Sequence, residues 1–351
     1  MLVICNAAVV FANPDSSSTI TQKVEEEIQA IDSSKLMQEL KGVEEKIEKF
    51  DPKPLIMHHI MDAHNWPILD MFAIPLPCIV YGPNGLSTFM YQEGAEIDGY
   101  DCEHGAISRK DEAHFLDFSI TKNVLGMLIG AAILIFVFLS VANSYKTNKN
   151  KAPKGLQSLI EPLVVFVRDD IAKPALHGKY EKYLPYLMTI FFFILINNLL
   201  GLVPIFPGGA NVTGNIAFTM VLGIISFLVI NFSGNKYYWK HILMPDVPKF
   251  LYIVMIPVEL LGVFTKPISL IIRLFANMTA GHIIVLSLVS LIFVFGQAGK
   301  SMMGSGIGAG IAIPFTLFIS VIEILVAFIQ AFIFTTLTAV FLGMAIEEAH
   351  H

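Results

Sequence analysis

The chain has 351 residues, of which 54% are hydrophobic and 15% charged, and its mean hydropathy is +0.65. Soluble domains carry roughly 25% charged residues, so this composition excludes an ordinary water-soluble globule and points to a polytopic protein whose first partner is the lipid bilayer. The formal net charge of -6 is uneven: residues 13–120 hold 20 of the 29 acidic residues and 8 of the 23 basic ones, everything later is neutral to basic, and no nucleic-acid partner is expected.

The first twelve residues, MLVICNAAVVFA, form an apolar run too short to span a bilayer and end in Val-Phe-Ala before a polar segment. This reads as a secretory signal cleaved after Ala12, although the usual basic opening is missing. An external acidic domain is expected over residues 13–114. Within it, residues 15–50 set Ile28, Ile31, Leu36, Leu40, Val43 and Ile47 among many Glu and Lys, the spacing of a solvated amphipathic helix that stops at Asp51-Pro52. His58, His59, Asp62 and His64 are metal-ligand types. A polar helix start in an exposed domain needs no ion, however, and neither metal nor cofactor is expected. Residues 68–108 carry β-branched and aromatic runs on both sides of Gly82-Pro83-Asn84-Gly85, which reads as a hairpin or small sheet. Cys78 and Cys102 would face an oxidising compartment, where a disulfide between them is one expectation and two buried thiols the other.

Five apolar blocks follow, at about 124–143, 183–206, 215–232, 251–295 and 311–346. The first three are free of charge and each is about one bilayer thick. The last two exceed the roughly 20 residues of a perpendicular span, so each is two spans with a tight turn or one strongly tilted helix. Loop charge chooses between these. Residues 143–182 carry eight Lys/Arg and residues 233–250 three Lys, whereas the alternate connections, 207–214 and 296–310, carry none and one. The positive-inside rule makes the basic pair cytoplasmic; five spans then leave the acidic domain outside and the C-terminus inside. The expected fold is an all-α polytopic membrane domain over 115–351, with five helices of which the last two are long and strongly tilted, and an external N-terminal α+β extension. Residues 155–180, apolar on one face with basic flanks, are expected to lie at the cytoplasmic interface.

Catalytic motifs are missing. Residues 296–301, GQAGKS, lack the first glycine and the preceding strand of a phosphate loop, and neither HExxH nor GxSxG occurs in the helices.

What stands out instead is charge inside apolar blocks. Glu259, Lys266 and Arg273 are seven residues apart, so at 100° per residue they share a face, and His282 points to the opposite one. Glu323 and Gln330 share a face of the fifth block by the same rule. A charge at the centre of a membrane helix costs about 3 kcal/mol or more, so such residues face a partner, a pore or water. Lys266 and Glu259, nearer an end, can be accommodated by snorkelling. A histidine and a carboxylic acid exchange protons readily near neutral pH, whereas arginine holds its proton and acts as a fixed charge. His282 and Glu323 are therefore candidate relay groups, and Arg273 a candidate barrier.

The block RLFANMTAGH at 273–282, the preceding ELLGVFTKPISLII and the terminal IEILVAFIQAFIFTTLTAVFLGMAIEEAHH resemble subunit a of bacterial F-type ATP synthase, as do VRDDIAKP and NNLLGLVP upstream. The resemblance runs from about Phe115 to the end. It implies a stator subunit of the inner membrane with no catalytic centre of its own. A rotor ring of small carboxylate-bearing subunits and a b-type peripheral stalk would be its partners. Two offset half-channels would lead protons to and from the rotor, with Arg273 as the charge barrier between them. His282, Glu323, Asn277, Gln330 and Glu259 would belong to the proton pathway. Many members of the family carry a glutamate at the position of His282 and a histidine at that of Glu323; here the two are exchanged. The long acidic extension also departs from the family's short N-terminus. A secondary transporter with an anion-binding arginine is the alternative, and it would bring internal repeats and broken helices. A purely structural scaffold would leave the aligned charges without a purpose.

Overall fold

The computed structural model describes residues 52–68, 72–83, 85–109, 114–147, 152–203, 208–244, 248–296 and 301–347. The expected signal segment and the amphipathic helix of 15–50 lie outside these residues. Residues 51–291 with 309–351 form one compact unit, and residues 292–308 belong to a second. In the second, the Ser301 N–H donates to the Gly296 carbonyl, and Ser301 Oγ accepts from the Gly304 N–H, the bond of a helix N-cap.

Among the described residues, the N-terminal lobe comprises α1 (Pro52–Ile60) and eight short strands: β1 (Asn65–Ile68), β2 (Phe72–Pro75), β3 (Pro77–Gly82), β4 (Gly85–Met90), β5 (Glu96–Ile97), β6 (Tyr100–Glu103), β7 (Ala106–Arg109) and β8 (Leu116–Asp117). They pair antiparallel in three small sheets, β1-β2, β4-β3-β8 and β5-β6-β7. The expected hairpin at Gly82-Pro83-Asn84-Gly85 is present, with Gly82 opposite Gly85. Asp98-Gly99 and His104-Gly105 close the β5-β6 and β6-β7 hairpins with positive φ at both central residues, the twist that matches flanking strands.

Cys78 on β3 and Cys102 on β6 take inward positions and pack with Tyr91 in the lobe's small core. They are free thiols, the second of the two arrangements expected of them. Both behave as small buried hydrophobes. Burial, reinforced by Cys102 and Asp117 nearby, pushes the Cys78 thiol up to about 11.

Among the described residues, five helical runs are long and apolar enough to cross a membrane. They are α2 (Lys122–Thr147), the run 156–202, α6 (Ile216–Ser233), α8 (Tyr252–Phe295) and α9 (Met302–Ile346), with a short α7 (Lys236–Leu243) between the third and fourth. Helices α8 and α9, of 44 and 45 residues, are unbroken despite Pro257, Pro267 and Pro314. At 1.5 Å per residue each is about 66 Å long, twice a bilayer core of about 30 Å. This decides for single long helices over pairs of spans.

The run 156–202 consists of α3 (Leu156–Phe166), a π-helical segment Val167–Ala172, α4 (Lys173–Leu176), a 3₁₀ turn His177–Lys179 and α5 (Tyr180–Leu202). Val167, Ile171, Ala172 and Leu176 are buried in the main core with Phe191 and Leu342, whereas Leu156, Leu159 and Val165 stay exposed, so one side of 155–180 packs on protein and another remains open. Phe166 meets Phe191, Phe328 and Phe332, and the Ala175 carbonyl lies against Gly343, where a side chain would collide with it. Small buried residues Ala331, Ala339 and Ala345 give α9 the smooth face that close helix packing needs in lipid.

Candidate functional site in the long helices

Glu259, Lys266 and Arg273 are all half-buried, as their seven-residue spacing on an unbroken helix requires. Lys266 Nζ lies 5.1 Å from the centre of the Phe341 ring of α9, so its charge rests on an aromatic face. Glu259 stands 14 residues before Arg273, about 21 Å along the axis, and is not brought to the arginine. Arg273 has no hydrogen bond or ion pair among the described residues, and neither does Glu323. Asn277, one turn beyond Arg273, is exposed on a face it shares with Ala276 and Ala280.

The next turn of α8 places the two expected relay groups around adjacent residues, Gly281 and His282. A Cβ on Gly281 would lie 2.5 Å from Glu323 Oε1, so only glycine lets that carboxyl lie on the α8 backbone, next to His282. On the other side, His282 Nε2 is 3.7 Å from where a Cβ of Gly201 would stand, at the end of α5. Gln330 on α9 is 4% exposed, two turns beyond Glu323. Between them, Ala327 O accepts from Asn198 Nδ2 at 3.2 Å, tying α5 to α9. The 208–215 connection packs against this region. Thr279 Oγ donates to Gly214 O at 3.3 Å, and the Ala210 carbonyl faces Gly201.

Sequence reasoning missed Asn198, Thr279 and the contact role of Gly281. Asn197-Asn198 was visible as a polar pair in an otherwise apolar block. Nothing local distinguishes Gly281 from Gly262, whose Cβ would meet nothing.

The metal-ligand types of the N-terminal lobe serve structure. His64 Nε2 is 2.8 Å from Asp117 Oδ2 and its Nδ1 is 3.0 Å from Gly105 O. Burial alone would raise the Asp117 carboxyl, but hydrogen bonds from Ser119 and His64 outweigh it and hold it below the usual range. Asp62 accepts from Thr121 Oγ at 2.8 Å and from the Asn123 N–H at 3.1 Å. The side chains of His58 and His59 lie outside the described ones.

Five helical spans, two of them very long and bearing half-buried charges, define a polytopic membrane protein that holds ionisable groups against apolar faces. Comparison with known proteins gives the family. The model of the ATP synthase A chain matches residues 124–343, and a domain of unknown function, DUF8433, matches residues 55–123. ATP synthase subunit a of Chloroherpeton thalassium is 41% identical over 308 residues, covering 86% of this chain and 79% of that protein. ATP synthase subunit a 2 of Chlorobaculum tepidum is 42% identical, covering 84% and 73%. Subunit a of Myxococcus xanthus is 41% identical over 67% of this chain and 76% of its own length. The chain belongs to the ATP synthase A chain family. The longer alignments exceed what the membrane domain alone supplies, so these relatives share part of the N-terminal lobe.

Proposed function

We propose that this chain is the proton-translocating stator subunit of an ATP synthase, set in the membrane beside a rotor ring of small carboxylate-bearing subunits and held by a b-type peripheral stalk. The carrying observation is Arg273: a half-buried guanidinium in a 44-residue apolar helix, with no ion-pair partner among the described residues. A charge so set calls for a carboxylate from elsewhere. The small residues Ala276 and Ala280 on the exposed face let another helix come close enough to bring one. A rotor carboxylate passing Arg273 is drawn into its ionised form, and the fixed positive charge keeps protons from crossing directly.

His282 on α8 and Glu323 on α9, whose carboxyl lies against the neighbouring Gly281, take protons toward the rotor on one side of that barrier. Gln330 and Asn198 line the same region. Having one imidazole and one carboxyl there, in exchanged positions, keeps the same two chemical groups in the path. Loop charge puts the N-terminal lobe outside the inner membrane and the end of α9 inside. The α8 and α9 helices are continuous, which favours this reading over a transporter with broken helices.

The test is Arg273→Ala in membranes containing the whole complex, following ATP-driven acidification and passive proton leak. Loss of pumping with the complex assembled supports the barrier role, most directly if the leak rises. Normal coupled pumping would overturn it.

A further inference from the structure

The N-terminal lobe, which carries the match to a domain of unknown function, is fastened to the part of the membrane domain that reaches His282. Trp66 is 2% exposed and packs with Ala210 and Val212 of the 208–215 connection. It also lies over Gly126 of α2, where a Cβ would come within 3.8 Å of its ring. Asp62 makes a second attachment. Its carboxylate caps α2 through the Asn123 N–H and is 3.5 Å from Nδ2 of Asn215, the N-cap residue of α6. The 208–215 connection therefore touches the lobe at one edge and Gly201, Thr279 and the surroundings of His282 at the other.

Between lobe and helices lies a cavity of about 550 Å³, with Asp62, Asp117, Thr121, Asn123 and Asn215 in its wall and apolar side chains deeper in. Asn123 is 5% exposed, and its Oδ1 has no hydrogen-bond partner among the described residues. The same is true of Nδ2 of Asn211, 4% exposed, in the connection itself. Buried polar atoms left open by the protein are ordinarily satisfied by water. The rim is not simply negative, because Lys122 is buried near Asp62 and His64 pairs with Asp117. The rim is thus polar and of mixed charge, while the rest of the lining is apolar.

We propose that the N-terminal lobe is the outer cap of the proton path, that the cavity beneath it is the water-filled mouth, and that the 208–215 connection is the wall leading inward to His282. This rests on the reading of His282 and Glu323 as proton-path residues. It gives the lobe a function: Trp66 and Asp62 hold the connection in register with α8 while leaving a polar opening beside it.

The experiment uses the whole complex in liposomes with its ATPase head outward, so that the lobe faces the lumen, and with silver ion enclosed. Silver follows water paths and binds thiols. Thr121→Cys and Asn215→Cys should lose ATP-driven acidification several-fold with silver inside, while the unmodified chain and Leu86→Cys, on an exposed strand position of the lobe, should not. If one variant fails to assemble, the other carries the test. Thiols that react without loss of pumping, or that do not react at all, would overturn the cap. Arg273→Ala in the same liposomes separates the two ideas. Its loss of pumping beside silver-insensitive Thr121→Cys and Asn215→Cys sinks only the cap, whereas normal pumping sinks the stator reading itself.

Discussion

The N-terminal lobe and the long helices treat their carboxylates in opposite ways. In the lobe, Glu93 accepts from the Tyr91 hydroxyl and from the His104 and Gly105 N–H groups, Asp117 from His64 and Ser119, and Asp62 from Thr121 and Asn123. In the helices, Glu323 lies against bare glycine backbone, and neither it nor Arg273 has a partner among the described residues. A lobe in water keeps its shape by closing polar groups on one another. Helices that handle ions hold theirs open, supported by packing and ready for water or for another subunit.

The largest expected effect breaks the open side of this contrast. Arg273→Ala should abolish ATP-driven pumping in membranes while leaving the lobe folded, as judged by unchanged protection of Cys78 and Cys102 from alkylation. Gly281→Leu comes next. It would drive a side chain into the Glu323 carboxyl. Overpacking of this kind costs about 1–3 kcal/mol, and displacing the carboxyl should slow proton flux by about tenfold, the equivalent of 1.4 kcal/mol. Gly262→Ala, where the added methyl meets nothing, should pump normally; equal losses in both would show that helix propensity, not the carboxyl, is at stake. Gly343→Val pushes into the Ala175 carbonyl and should lower the stability of the detergent-solubilised protein by about 1–3 kcal/mol, read as a lower unfolding temperature.

The closed side should respond to acid. Burial would raise the Glu93 and Asp117 carboxyls, but their hydrogen bonds outweigh it and hold both below their ordinary values. A depressed folded-state value stabilises the lobe above the unfolded value and loses that stability as pH falls toward the folded one. The lobe's unfolding midpoint should therefore be level down to about pH 4 and fall on further acidification. A midpoint rising through that range would contradict the hydrogen-bond network. The smallest effect concerns the cysteines. With its thiol raised to about 11 and no exposed surface, Cys78 should resist alkylation at pH 8 until the lobe is unfolded.

Much of the fold was legible because its signals are local. Hydropathy marked five spans, and loop charge chose five over seven. The glycine turn announced the β3-β4 hairpin. For residues 155–180 the sequence marked an apolar face with basic flanks, but which of its residues meet Phe191, Phe332 and Leu342 could not be read locally, because those partners are distant in sequence. The cysteine pair left disulfide and buried thiols equally open, since two cysteines in one domain say nothing about how their side chains meet.

For the site, the sequence by itself determined which residues are charged inside apolar helices and which of them share a face. A helix has a fixed period, so seven-residue spacing alone aligns Glu259, Lys266 and Arg273, and Glu323 with Gln330. Tertiary structure alone decided that Glu323 rests on Gly281 beside His282, that Asn198 ties α5 to α9, and that Trp66 and Asp62 fasten the lobe to the connection near that pair. These are contacts between segments tens to hundreds of residues apart, set by side-chain volume and backbone approach, and local periodicity carries no information about them.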